Sequence, residues 1–172
     1  MAQIAGLDIV FTVNGKSVPI GSDLLSYLVS NLPDNEAYKS IYAEFAKATA
    51  YEVRENVAGK DNLDEETVFI LANDPVESVI ENLLGSEAAS CLNDAILTKL
   101  IERSPELAET IAFKVENFEG ATNKVYELLA NHGDPRVRKY LADGYNIPKK
   151  FLKKLASDED PEVAFLAKNA LE

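Results

Sequence analysis

A 26-residue recurrence constrains this chain more than any other feature. Val137 and Val163 stand 26 residues apart, as do Pro135 and Pro161 and, earlier, Val53 and Val79. The C-terminal stretch shows what one unit contains. Gly133-Asp134-Pro135 leads into Val137, Arg138, Tyr140 and Leu141, which stop at Asp143-Gly144. Pro148 then opens a second run with Phe151, Leu152 and Leu155, and Asp158-Glu159-Asp160-Pro161 begins the next unit. Spacings of three and four put the apolar residues of each run on one helical face. Proline suits a first helical turn, where its missing N–H has no partner to lose, and acids there favour the positive helix end. One pair of such short helices cannot bury its own apolar face, whereas a stack can. The units are uneven: Pro75 to Pro105 and Pro105 to Pro135 are steps of 30.

The stretches Pro-Arg-Val-Arg-Lys-Tyr-Leu-Ala (135–142), Asn-Ile-Pro (146–148), Phe-Leu-Lys-Lys-Leu-Ala (151–156) and Asp-Glu-Asp-Pro-Glu-Val (158–163) together resemble the leucine-rich repeat variant family, a cousin of HEAT-type helical repeats. Val-Arg-Glu-Asn-Val-Ala (53–58), Leu63 and Ile-Leu-Ala-Asn-Asp-Pro (70–75) resemble the same pattern. The resemblance covers residues 50–82 and 128–170. It implies an all-α solenoid of short paired helices wound as a right-handed superhelix, and no common enzymatic activity. Iron–sulfur variants of that family carry an N-terminal cysteine cluster. No cysteine precedes Cys91 here, so that cofactor is not carried over, and no other is implied.

Residues 8–20 read differently. The run 8–13 is β-branched and aromatic, Asn14-Gly15 follows, and Lys16 to Ile20 return. Asn-Gly between two such runs predicts a β-hairpin, with Pro19 on an edge. A lone hairpin is marginal, so it is expected to cap the first helices or to pair with a second copy of the chain. Helices are expected from Ser22 or Asp23, over 36–47, near Val53, over 64–71 capped by Asp64, from Asp74-Pro75 to Leu84, over 94–101, 105–113 and 123–129, and then in the C-terminal units. Residues 1–50 read as hairpin and capping helices, and 51–172 as the repeat, packed together as one domain. Phe165 and Leu166 lie where a solenoid needs a polar end; either the last helix is the cap or the fold continues into a partner.

Composition narrows the function. The 172 residues are 47% hydrophobic, enough for a core, and carry a net charge of −12. That charge repels nucleic acid and anionic membrane. A single cysteine excludes an intrachain disulfide and a thiolate cluster and fits a reducing, cytoplasmic setting. Residues 1–8 lack the basic flank and apolar core of a secretion signal, and no run is long and apolar enough for a membrane span. His132, the only histidine, lies two residues from Asp134 and reads as a surface-loop residue; Cys91 reads as core or semi-buried. The acidic runs 64–66 and 158–160 precede helices and are accounted for by the helix field. No catalytic, cofactor-binding or metal-binding residue is expected.

The remaining signal is charge asymmetry. Residues 1–86 hold 5 basic and 14 acidic groups, whereas Arg136, Arg138, Lys139, Lys149, Lys150, Lys153 and Lys154 face only Asp143 within 135–154. These seven are the candidate partner-binding residues. The expected function is a non-catalytic helical-repeat protein that docks another protein. The alternatives are nucleic-acid contact through the basic stretch, disfavoured by net charge, and a homo-oligomer paired through the hairpin.

Overall fold

The computed structural model describes residues 10–172. The described residues divide into two compact units, one ending at Ala89 and the other starting at Ser90. The fold is all-α apart from a small antiparallel hairpin.

In the first unit, β1 (Val10–Val13) pairs with β2 (Lys16–Pro19), Val10 opposite Pro19 and Val13 opposite Lys16. Asn14 and Gly15 turn the chain with φ of 50° and 74°, the left-handed values that the primed hairpin turns require. Asp8 and Ile9, the expected start of the first strand, lie outside the described residues. Val10, Val13 and Val18 are all more than half exposed, so these side chains are not buried as a cap on the helices.

Five helices follow in this unit: α1 (Ser22–Asn31), α2 (Lys39–Phe45), α3 (Tyr51–Ala58), α4 (Glu65–Ala72) and α5 (Glu77–Gly85). Helices α1, α3 and α5 lie side by side, with α2 and α4 packed on them. The expected helix over 36–47 is split into a 3-10 turn (Glu36–Tyr38) and α2. Gly21, without a side-chain bond, caps α1, so Ser22 and Asp23 sit inside the first turn. Asp64 caps α4 as its sequence position indicated, accepting the Thr67 N–H at 2.7 Å. The connecting loops are tied to one another by aspartates. Asp34 accepts the N–H groups of Asp61 and Asn62 at 2.7 and 2.9 Å, and Asp61 accepts that of Glu87 at 2.8 Å. Burial works to raise the Asp34 carboxyl, but these N–H donors and Lys60 prevail and hold it below its ordinary value.

The second unit contains α6 (Asp94–Arg103), α7 (Pro105–Lys114), α8 (Asn123–Ala130), α9 (Pro135–Asp143), α10 (Lys149–Leu155) and α11 (Pro161–Asn169). Helices α7, α9 and α11 form one row; α6, α8 and α10 form a second row against it. Asn93, Ser104, Thr122, Asp134 and Asp160 each cap a helix by accepting a backbone N–H, and Pro105, Pro135 and Pro161 open α7, α9 and α11. Pro75 differs: α5 starts at Glu77, so this proline lies ahead of the helix. Gly120 packs so closely that a Cβ there would stand 2.3 Å from the Leu92 carbonyl oxygen, which leaves room for glycine alone.

The four valines that set the sequence recurrence each occupy the third position of a helix: Val53 in α3, Val79 in α5, Val137 in α9 and Val163 in α11. All four are wholly buried. Tyr140 departs from its expected inward position. Val137 and Leu141, four apart, hold the core stripe, and Tyr140 falls beside it with its ring half in solvent.

Candidate docking surface

Each Val-Arg pair folds into the same buried arrangement. In the first unit Arg54 donates to Asp74 from Nε (2.6 Å) and Nη2 (3.0 Å), and its Nη1 reaches the carbonyls of Ala48 and Thr49. In the second, Arg138 donates to Asp158 from Nε (2.9 Å) and Nη2 (2.8 Å), and its Nη1 reaches the carbonyls of His132 and Gly133. Asp74 and Asp158 each also accept the N–H two residues on, from Val76 and Asp160, at 2.9 Å. The planar guanidinium suits this: one edge takes a carboxylate bidentately while the other closes the preceding loop. Hydrogen bonding from Arg138 holds the Asp158 carboxyl below its ordinary value against the opposing effect of burial. Both clamps lie within 26-residue steps. The 30-residue step from α7 to α9 has Ala108 and His132 at the corresponding positions and has no such clamp.

Arg138 is therefore interior, with its donors used within the chain. Arg136 and Lys139 project from the opposite side of α9 and bridge the row. Arg136 pairs with Glu109 of α7 at 3.0 Å and with Asp134 at 2.7 Å, and Lys139 pairs with Glu162 of α11 at 2.5 Å. The two cross-helix pairs share one register, joining the residue two after the core position on one helix to the residue one before it on the next. Beside them stand exposed aromatics. Phe113 of α7, 64% exposed, meets the Tyr140 ring edge-on at 5.9 Å, and Phe165 of α11 is 62% exposed. Phe113 carried no functional signal in the sequence reading. It follows the buried Ile111 and Ala112 of α7 directly, at the edge of the core stripe.

Lys149, Lys150, Lys153 and Lys154 lie on α10, in the other row, so the seven candidate residues do not form one patch. Phe151, Leu152 and Leu155 face the core and the four lysines face solvent. Lys150 sits over the Phe151 ring at 4.7 Å, and Lys154 donates to Asn131. None of the four forms an ion pair with a described residue.

His132 accepts the Asp134 N–H at its Nδ1, 3.1 Å away, while the Asp134 carboxylate is engaged by Arg136. The two are thus a loop-closing pair rather than an imidazole with an orienting acid. Cys91 is half-buried. Among the described residues no three metal-ligating side chains gather, and no helix is long and apolar enough to cross a membrane. Comparison with protein-family models, curated proteins and solved structures gives no match. The resemblance to leucine-rich repeat variants is one of residue pattern alone.

Proposed function

We propose that this chain is a helical-repeat docking protein, a short stack of the leucine-rich repeat variant kind, whose α7/α9/α11 face receives another protein. The observation that carries this reading is the Phe113–Tyr140 pair, two aromatic rings in contact across adjacent helices and left in solvent. Scattered apolar side chains are ordinary on a surface, but aromatics grouped on one face mark contact sites. Ordered charge pairs rim the rings, Arg136 with Glu109 and Lys139 with Glu162. Aromatic anchors inside a polar rim are the anatomy of protein interfaces. The mixed signs of that rim favour a protein over a polyanion, and repeat stacks expose broad faces of this kind.

The test is affinity capture from native lysate with the intact chain and with a Phe113→Ala/Tyr140→Ala variant whose circular dichroism and melting temperature match it. Partners held by the intact chain and released by the variant are expected. An unchanged set of captured proteins would remove this face from the proposal.

A further inference from the structure

The α10 lysines pose a separate problem. In a chain with 29 acidic and 17 basic residues, a basic side chain meets carboxylates readily. Lys39, Lys47, Arg54, Arg136, Arg138 and Lys139 all do. The α10 lysines do not, and although Lys153 and Lys154 suit the last turn of the helix, the first two are placed against its stability. Lys149 and Lys150 occupy the first turn of α10, where the helix field disfavours positive charge. Lys149 with Lys153, and Lys150 with Lys154, are like charges four apart, which repel along a helix face. The first turn has no acid, and Pro148 at the N-cap gives no side-chain bond. A sequence under selection for stability alone would place glutamate at 149 and 150.

From this placement we infer that the solvent face of α10 binds an acidic, Asp/Glu-rich segment of a partner protein. The four ammonium groups supply the charge, and Tyr145, 80% exposed in the turn that enters α10, supplies an apolar contact at its edge. The scale of the field selects the class of partner. A short acidic segment lying on α10 responds to charges within about one Debye length, roughly 8 Å at physiological salt. A long nucleic acid also meets the rest of a molecule whose net charge is −12. Lysine is a rotatable point charge without a rigid fork, suited to several carboxylates in varied geometry rather than one phosphate held bidentately. This site does not depend on the aromatic row, and the Phe113→Ala/Tyr140→Ala variant retains it.

The measurement is fluorescence anisotropy of a labelled oligoglutamate peptide with the full chain, beside single-stranded DNA of equal formal charge. The peptide binds more tightly than the DNA, and its affinity falls as salt rises. In Lys149→Glu/Lys150→Glu the affinity drops about tenfold or more. Tyr145→Ala weakens binding less and leaves the salt dependence intact. No peptide binding, equal binding by the charge-reversed variant, or tighter binding of the DNA overturns the inference. So does salt-sensitive self-association in sedimentation that the same variant abolishes, since the face would then belong to a second copy of the chain.

Discussion

Replacing Arg138 by alanine leaves the Asp158 carboxylate, 9% exposed, beside a backbone N–H and without its guanidinium. Removing one partner of a buried pair costs about 3–5 kcal/mol, and urea denaturation of Arg138→Ala is expected to show a loss in that range. Arg138→Lys recovers part of it, because an ammonium cannot hold the carboxylate and the His132 carbonyl from two edges at once. The clamp also sets an acid limit. The folded Asp158 carboxyl is depressed by its bond to Arg138, so its contribution is complete above the unfolded value of about 3.9 and fades as pH falls through the lower folded value. Denaturation at a series of pH values is expected to show Asp158→Asn losing less stability on acidification than the parent chain. The sequence held this clamp in plain form, since Arg54 to Asp74 and Arg138 to Asp158 are both steps of twenty. Reading Arg138 as a surface cation followed from its charge alone; a buried arginine becomes legible only through the acid that recurs at the same distance from it.

At the scale of elements, the proline and aspartate punctuation located most helix starts. Asp64 caps α4, and Pro105, Pro135 and Pro161 open α7, α9 and α11. The short helix expected near Val53 from the Val53-Arg54 recurrence is α3. Less legible was what each flank of a helix meets. Tyr140 and Phe113 carry helical spacing, and spacing cannot separate a core stripe from the row of side chains just beside it. The α10 face offers a direct test of the physics proposed for it. Lys149→Glu/Lys150→Glu replaces two unfavourable first-turn charges with favourable ones and converts two repulsive i,i+4 pairs into Glu-to-Lys pairs. Helix-field effects of about 0.3–1 kcal/mol per charge imply a variant more stable by about 1 kcal/mol, read as a higher melting temperature. A stability gain accompanied by loss of peptide binding separates a functional cost from a folding defect.

For the whole molecule, the sequence announced an all-α chain with an N-terminal hairpin, and the structure has both. The seven candidate cations were read as one stretch because they are contiguous in sequence. Folding sends them to three places: Arg138 inside, Arg136 and Lys139 onto the α7/α9/α11 face, and the four lysines onto α10. Alternating rows separate neighbours in sequence, whereas residues one repeat apart become neighbours in space; Phe113 and Tyr140 meet across 27 residues of chain. That is the physical reason a linear charge count could not draw the proposed docking face. The most direct measurement of whether this face receives a protein is photo-crosslinking. A benzoylphenylalanine is placed at position 140, and a control at position 127 on the exposed side of α8. Discrete protein adducts from position 140, absent from position 127, are expected in native lysate. No adduct at 140, or the same adducts from both positions, contradicts the assignment.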